Sequence, residues 1–280
     1  MIINLGLILS KFLVFFWAFK SSITLKKVKD QCRSWVSIFP ERARKVLFMT
    51  DKSMPTSRLQ AVLFDAYGTL FDVYSVALLA EQFFPGQGHA LSVLWRDKQI
   101  EYTRLVTTSN HGEHYQPFWD LTLASLRYSA ARLSLPLEET QALQLMNQYR
   151  SLSAFPECQN VLKSLKEKGL VTGILSNGDA DMLGVAVKSA GLDAHLDHVI
   201  SVDPVRRFKT HPDSYALGPQ AMGIPAEQIL FVSSNGWDAL GATWFGFTTL
   251  WVNRGGLPPE QIGPAPTRTG SSLQDVLNFF

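Results

Sequence analysis

Short apolar runs that recur beyond residue 60 constrain the fold of this chain more than any other feature. The runs occupy residues 61–64, 171–175, 229–232 and 248–252, and a polar residue follows each of them. Runs this short and this uniformly apolar are typical of strands buried on both faces of a parallel sheet. Helix-like stretches such as residues 181–190 and 212–222, each followed by a glycine, lie between them. The alternation predicts an α/β fold with a Rossmann-like, doubly wound parallel sheet core.

A different pattern fills the space between the first two predicted strands. The sequence there predicts longer helices at residues 93–106, 118–133 and 137–150. Helices inserted after a strand can cover its carboxyl end and keep water away from it. We therefore expect a core of residues 54–74 and 152–280, with residues 75–151 forming an inserted helical cap subdomain.

The first 53 residues differ in charge from the rest of the chain. They hold ten Lys and Arg against three Asp and Glu, whereas residues 54–280 hold sixteen against twenty-one. An acidic body without a basic stripe interleaved with aromatic residues is a poor binder of nucleic acid, so nucleic acid is not expected as a partner. Cys32 and Cys158 form no CxxC pair and no zinc spacing, which favours reduced thiols in a reducing compartment.

The N-terminal extension, residues 1–53, allows three interpretations, of which a secretory signal is the least favoured because no basic residue precedes its apolar run. The other two are a membrane anchor and a start that lies too far upstream. Residues 2–19 are largely apolar and are followed by several lysines, as in a signal anchor that leaves the chain on the cytoplasmic side. Lys11 inside that span costs about 2.5–3.5 kcal/mol on insertion. A reading frame opened too far upstream is the other interpretation, since Met54 directly precedes the predicted core. We expect a cytoplasmic protein, with anchoring to the inner face of the membrane by residues 2–19 as the alternative.

An aspartate closes the first predicted strand and begins the most informative motif. Asp65 precedes a Gly68-Thr69 turn, which is where an α/β sheet presents a nucleophile. A phosphatase needs a second acid beside such a nucleophile, to protonate an alkoxide leaving group and then to activate water. Tyr67, two residues after Asp65, stands in the place of that second acid. Because a halide leaves without a proton, the motif favours cleavage of a carbon–halogen bond over cleavage of a phosphate ester.

Four further motifs follow this one, at predicted strand ends and on a predicted cap helix. The five matching segments are Asp65-Ala66-Tyr67-Gly68-Thr69-Leu70-Phe71-Asp72, Trp95-Arg96, Leu175-Ser176-Asn177-Gly178, Lys209 with Tyr215, and Ser233-Ser234-Asn235-Gly236-Trp237-Asp238. In order and approximate spacing they resemble the (S)-2-haloacid dehalogenases of the haloacid dehalogenase-like hydrolase superfamily, over nearly all of residues 58–280. The resemblance implies hydrolysis of short (S)-2-haloalkanoic acids to (R)-2-hydroxy acids and halide. It implies inversion through a covalent aspartyl ester, without a cofactor or a metal.

The resemblance also implies a catalytic set. Asp65 would attack the halogen-bearing carbon, while Thr69 holds its carboxylate and Lys209 orients it. Asp238 and Asn235 would position the water that hydrolyses the ester. The implied catalytic residues are Asp65, Thr69, Lys209, Ser233, Asn235 and Asp238.

A second implied set binds the substrate. Arg96, Asn177 and Trp237 would cradle the departing halide, and Ser176 would hold the substrate carboxylate. The implied substrate-binding residues are Tyr67, Arg96, Ile100, Phe118, Ser176, Asn177, Tyr215 and Trp237. Two positions depart from the family pattern. Asp97 adds a negative charge beside the arginine, which is expected to weaken binding of an anionic acid, and Thr210 replaces the usual proline, so the local loop is expected to differ.

Two other functions stay open from the sequence. A magnesium-dependent phosphatase acting on a small phosphate ester would share the fold and Asp65, but Tyr67 and Ser233 speak against it. The second alternative is a non-catalytic protein that binds carboxylic acids. The presence of Asp65, Lys209 and Asp238 speaks against it, because a protein without catalysis needs none of the three. The expected partners are a small 2-haloacid and halide. A homodimer rests on the resemblance alone, and membrane contact is expected only if residues 1–20 are a real anchor.

A shortened chain tests the interpretation of the N-terminal extension. We expect a chain that begins at Met54 to be soluble and fully active, because every matching motif lies after that residue. Activity of the purified shortened chain, compared with that of the full chain, checks this. Aggregation or inactivity of the shortened chain, with activity in the full one, would contradict it.

Overall fold

A six-stranded parallel sheet forms the centre of the part of the chain that the structure describes. The computed structural model describes residues 58–280, so the predictions made for the N-terminal extension lie outside the described residues. The spatial order of the strands is β3-β2-β1-β4-β5-β6, and every pairing is parallel. The strands are β1 Ala61–Phe64, β2 Val171–Ser176, β3 His198–Ser201, β4 Ile229–Ser233, β5 Thr248–Val252 and β6 Arg268–Gly270. The predicted doubly wound α/β core is confirmed.

Two of these strands were not predicted from the sequence. Strand β3 is a half-buried strand of four residues, and β6 has three residues that are mostly exposed. Neither carries the uniformly apolar run that marks a strand buried on both faces. Both lie at the edges of the sheet, where a strand is less buried and needs fewer apolar residues.

Helices cover the sheet and the carboxyl ends of its strands. The predicted helix at residues 212–222 is confirmed with those bounds, and its end at Gly223 takes the left-handed conformation that glycine favours. His211, directly before it, caps the helix by accepting a hydrogen bond from the backbone N–H of Asp213. The helices are α1 Val76–Phe83, α2 Gly88–Thr108, α3 Phe118–Arg132, α4 Glu139–Arg150, α5 Cys158–Glu167, α6 Ala180–Ser189, α7 Pro212–Met222 and α8 Gly236–Phe245.

Helices α1 to α4 form a continuous helical insertion between β1 and β2, and α2 packs against both α1 and α3. The two chain segments that enter and leave this insertion are paired with each other. The N–H of Asp72 donates to the carbonyl oxygen of Ser153 at 2.9 Å, and the N–H of Phe155 donates to that of Leu70 at 2.9 Å. The insertion therefore joins the sheet through one hydrogen-bonded pair of segments.

The sheet order brings polar residues from distant parts of the chain to one edge. Strand β1 lies between β2 and β4, and Asp65, Ser176 and Ser233 mark the carboxyl ends of these three strands. The chain reverses its winding direction at β1, and such switch points are where open α/β sheets bind ligands. Within residues 58–280, none of the helices is both long and apolar enough to cross a membrane.

Gly88 provides a test of the packing inside the helical insertion. A Cβ atom there would lie 2.5 Å from the backbone nitrogen of Glu81 and 2.6 Å from the carbonyl oxygen of Ala77. Because backbone cannot move aside as a side-chain tip can, we expect G88A to lower the free energy of unfolding by about 1–3 kcal/mol.

Gly184 in α6 is the matched control, since a Cβ there would meet no described atom within 4 Å. We expect G184A to raise the free energy of unfolding by about 0.5–1 kcal/mol, because alanine suits a helix interior better. Urea unfolding of both variants checks the pair. Equal effects of the two substitutions would contradict this packing.

Candidate active site

Asp65, directly after β1, is a buried carboxylate whose two oxygens are held differently. Its Oδ2 accepts hydrogen bonds from Thr69 Oγ1 at 2.9 Å and from Asn235 Nδ2 at 2.8 Å. Its Oδ1 accepts one from Lys209 Nζ at 3.0 Å. A carboxylate oxygen offers two lone pairs, so Oδ1 is the less saturated oxygen. The carboxylate is fixed in place while Oδ1 keeps a lone pair for an electrophile.

Lys209 lies between two buried carboxylates. Its Nζ is 3.0 Å from Asp65 Oδ1 and 3.0 Å from Asp238 Oδ2. Burial by itself lowers the pKa of the ammonium group, but the attraction of Asp238 and Asp65 outweighs burial and raises it. Lys209 therefore stays charged, and it partly neutralises the pair of acids.

Asp238 lies in the first turn of α8 and is fully buried. Burial raises the pKa of its carboxyl group, and the neighbouring charge of Asp65 adds to this, while Lys209 opposes it. Tyr215 donates a hydrogen bond to Asp238 Oδ1 at 2.7 Å. A carboxylate with a raised pKa is a better acceptor of a proton from water.

Tyr215, expected among the substrate-binding residues, does not border the cavity beside Asp65, and its expected role stays a prediction. The side chain lies behind Asp238 instead, against Phe231, Phe245 and Phe247. Its spacing after Lys209 reflects a role in holding Asp238 in position.

Arg96 projects from α2 toward Asp65 and is buried. Its Nη1 donates to Gln99 Oε1 at 2.7 Å, and its Nη2 lies 3.2 Å from the carbonyl oxygen of Tyr67 and 3.3 Å from Asn235 Oδ1. These acceptors are all neutral. The guanidinium charge is therefore fixed in a water-poor site without a carboxylate bonded to it.

Gln99 is a site residue that the sequence analysis missed. It accepts from Arg96 and from Tyr149 Oη at 3.1 Å, and its Nε2 donates to Thr122 Oγ1. The sequence offers one signal for it, the i,i+3 spacing that places Gln99 beside Arg96 on the same helix face. Gln99 orients the arginine.

Residues of the loop after β4 connect the two halves of the site. Asn235 donates to Asp65 and accepts from Arg96, so one amide links the nucleophile to the cationic pocket. Ser233 is 3.5 Å from Asp65 Oδ2, longer than an ordinary O–H···O bond. Its oxygen accepts instead from the backbone N–H of Asn235 at 3.1 Å, so Ser233 shapes this loop.

Ser176 and Asn177 end β2 on the other side of Asp65. Ser176 Oγ accepts from the N–H of Gly178 at 3.1 Å, and its own proton remains available for donation. Asn177 Oδ1 accepts from the backbone N–H of Lys209 at 2.9 Å. That contact leaves the Asn177 amide nitrogen as the group that can face a ligand.

A small closed cavity lies beside Asp65. Its volume is about 10 Å³, roughly the space of one water molecule, so a larger ligand enters only if part of the wall moves. Thr103 is in the lining but was not predicted. The complete lining is Asp65, Tyr67, Arg96, Ile100, Thr103, Phe118, Ser176, Asn177 and Trp237.

The position of Asp97 does not support the expectation that its charge weakens binding of an anionic acid. Asp97 is exposed, unlike its buried neighbour Arg96, and it does not line the cavity. Water screens its charge there.

A second, larger cavity of about 460 Å³ shares Trp237 with the first. Its charged lining residues are Arg104 and Glu260, and Asp65 does not reach it. Arg104 lies over the Trp237 ring, with 5.3 Å from its Cζ to the ring centroid. Asp65 therefore belongs to the smaller cavity.

In residues 58–280, no cluster of three or more His, Cys, Asp or Glu side chains has the arrangement to hold a metal ion. The two carboxylates of the site, Asp65 and Asp238, each direct an oxygen to Lys209 instead.

The family model and the similar proteins found by comparison point to the same family. Residues 59–246 match the family model described as haloacid dehalogenase-like hydrolase. An (S)-2-haloacid dehalogenase of Pseudomonas sp. (strain YL) is 42% identical over 222 residues, covering 79% of this chain and 94% of that protein.

Two solved structures are similar as well. The crystal structure of one L-2-haloacid dehalogenase is 60% identical, with a TM-score of 0.78, and the match covers 79% of this chain and 98% of that one. The L-2-haloacid dehalogenase of Xanthobacter autotrophicus, with chloropropionic acid covalently bound, is 37% identical, with a TM-score of 0.72 and coverage of 79% and 97%.

Replacing Lys209 tests whether its charge holds the two buried acids. We expect K209M to lower the free energy of unfolding by about 3–5 kcal/mol at pH 7, because two carboxylates would remain buried without their cation. The pKa of Asp238, which burial already raises, would rise further in the folded state without Lys209, so the loss should shrink as the pH falls. Urea unfolding at pH 7 and pH 5 measures it.

K188M is the matched control, since it removes the same charge from an exposed position on α6. A small change is expected at both pH values. A loss in K209M that is the same at pH 7 and pH 5 would contradict the account of the cluster.

Proposed function

This chain belongs to the (S)-2-haloacid dehalogenases, within the haloacid dehalogenase-like hydrolases, and we propose that it hydrolyses short (S)-2-haloalkanoic acids to (R)-2-hydroxy acids and halide. It is a hydrolase that acts on carbon–halide bonds. The observation that carries the proposal is the carboxylate of Asp65, held by Lys209, Thr69 and Asn235 with Oδ1 less saturated.

In the first step Oδ1 of Asp65 attacks the carbon that bears the halogen, from the side opposite the halide. The carbon–oxygen bond forms as the carbon–halogen bond breaks, so the carbon inverts and an ester joins enzyme and substrate. Covalently bound chloropropionic acid in the Xanthobacter autotrophicus relative supports this step. No proton is required, which suits a site with Tyr67 where a phosphatase has an acid.

The halide leaves toward Arg96, with Asn177 and Trp237 completing its surroundings. Arg96 is buried, and its hydrogen-bond acceptors are neutral, so its positive charge remains uncompensated at short range. A fixed charge in a water-poor pocket stabilises developing negative charge more strongly than a solvated one does. The arginine thus lowers the barrier to halide departure.

Water attacks the carbonyl carbon of the ester in the second step. Asp238 takes a proton from the water, consistent with a pKa raised by burial. The oxyanion forms on Oδ2, where Thr69 and Asn235 already donate at 2.9 and 2.8 Å and act as an oxyanion hole. When the intermediate collapses, Oδ1 leaves with the product, receives the proton from Asp238, and departs beside the charge of Lys209.

The helical insertion completes the site in this proposal. Arg96, Ile100, Thr103 and Phe118 come from α2 and α3, whereas Asp65 comes from the sheet. We expect the insertion of residues 75–151 to act as a cap that opens for substrate and then excludes water. The small volume of the cavity, about 10 Å³, supports such a movement.

A homodimer and a cytoplasmic location also remain proposals. Their support is the family resemblance and, for the location, a buried free thiol at Cys158, as in proteins of reducing compartments.

Chloride release from single enantiomers of 2-chloropropionate tests the proposal. With a chelator present, we expect the S enantiomer to release chloride and the R enantiomer to release none. D65N should lose at least about 1,000-fold in rate because the nucleophile is absent. D97N, which changes an exposed aspartate outside the cavity, should stay within about twofold of the unchanged protein.

The alternatives predict different results in the same experiment. Hydrolysis of p-nitrophenyl phosphate that requires magnesium, without chloride release, would favour the phosphatase. Chloride release that a chelator abolishes and magnesium restores would contradict the proposed chemistry. Silence in both assays, with measurable binding of carboxylic acids, would favour the binding protein.

A further inference from the structure

The hydroxyl group of Tyr67 is buried without a hydrogen-bond partner among the described residues. The whole side chain is 2% exposed. A buried hydroxyl that donates to nothing destabilises a folded protein, and such groups are rare enough that each needs an explanation. Phenylalanine would fill the same space without this cost. Tyr67 therefore carries an unused donor at the edge of the cavity beside Asp65.

Packing fixes where this hydroxyl lies. The Tyr67 ring stacks on Tyr149 with 5.5 Å between centroids and lies 5.6 Å from the ring of Phe118. A Cβ atom placed on Gly178 would be 2.7 Å from Tyr67 Cε2 and 3.3 Å from its Oη. The hydroxyl is thus clamped against the loop that follows β2, beside Ser176, and cannot turn out to water.

The protonation state of Tyr67 is fixed as well. Burial raises the pKa of its phenol well above the ordinary value, and the nearby charges of Asp179 and Asp65 add to this. Tyr67 therefore keeps its proton at any working pH. Its hydroxyl can donate a hydrogen bond, and an anion is the acceptor that gains most from such a donor.

In the proposed mechanism both cations of the site are directed at positions other than the substrate carboxylate. Lys209 Nζ contacts Asp65 and Asp238, and Arg96 faces the halide position while bonded to Gln99, Asn235 and the Tyr67 carbonyl. A carboxylate bound at the end of β2 must therefore rely on neutral donors. Two hydroxyl groups, those of Ser176 and Tyr67, border Gly178 there.

From this arrangement we infer that Tyr67 is a specificity-determining residue whose hydroxyl donates a hydrogen bond to the carboxylate of the bound 2-haloacid. The inference rests on the proposed function and deepens it. The residue that stands in place of the phosphatase acid then recognises the substrate anion. The hydroxyl, which has no acceptor among the described protein groups, gains one when the substrate binds.

Y67F tests the inference because it should weaken substrate binding and at the same time raise the thermal stability. With (S)-2-chloropropionate, KM should rise about 10- to 100-fold, because a hydrogen bond to a charged group is lost, while kcat changes by less than about threefold. Without ligand, the Tm of Y67F should rise by about 2–8 °C, because the unpartnered hydroxyl is removed. Higher stability with weaker binding is a result that a purely structural role would not give.

Y149F is the matched control, since it makes the same change in the ring stacked on Tyr67. The Tyr149 hydroxyl donates to Gln99 at 3.1 Å, so its removal should lower Tm. A fall in Tm for Y67F, or a KM within about twofold of the unchanged protein, would overturn the inference.

Propionate, which carries the carboxylate but no halogen, separates this inference from the proposed function. We expect saturating propionate to raise the Tm of the unchanged protein more than that of Y67F. If the unchanged protein releases no halide but this difference is seen, the proposed function fails and the carboxylate contact stands. If halide is released and Y67F behaves as the unchanged protein does, the inference alone fails.

Discussion

One buried ammonium group, that of Lys209, holds two carboxylates, one directly after β1 and one in the first turn of α8, and the rest of the site depends on it. Strands β1 and β4 pair in parallel, which brings Asp65 and the loop that leads to Asp238 to the same edge. Two carboxylates so deeply buried would be too costly without a cation. With Lys209 at 3.0 Å from each, one can serve as nucleophile and the other as base.

The hydrogen-bond donors around this cluster hold the two acids in different ways. Thr69 and Asn235 hold one oxygen of Asp65 and leave the other to react, while Tyr215 holds Asp238. The helical insertion contributes a different charge, that of Arg96, at the opposite side of the same small cavity. The cation that orients the acids and the cation proposed to receive the halide are thus kept apart, and Asn235 contacts both Asp65 and Arg96.

The sequence was sufficient for the four central strands of the sheet and for the residues that follow them, because buried parallel strands carry a strong apolar signal and the motifs stand directly after them. The two edge strands, β3 and β6, lack that signal and were not predicted. The sequence was also insufficient wherever a contact joins distant segments. Gln99 meets Tyr149 across 50 residues, and nothing in the local pattern of either residue indicates the pair. Tyr215 was expected at the substrate because its spacing from Lys209 matched, yet spacing does not reveal on which side of Asp238 a ring packs. The unpartnered hydroxyl of Tyr67 is likewise a property of the packed structure.

The central claim is that an oxygen of Asp65, and not water directly, becomes the hydroxyl oxygen of the product. A single turnover of (S)-2-chloropropionate in water enriched in heavy oxygen, with enzyme in excess, tests it by mass spectrometry of the hydroxy acid. The account predicts mostly unlabelled product, with the label found in the peptide that contains Asp65. Full labelling of the product, with none in that peptide, would contradict it.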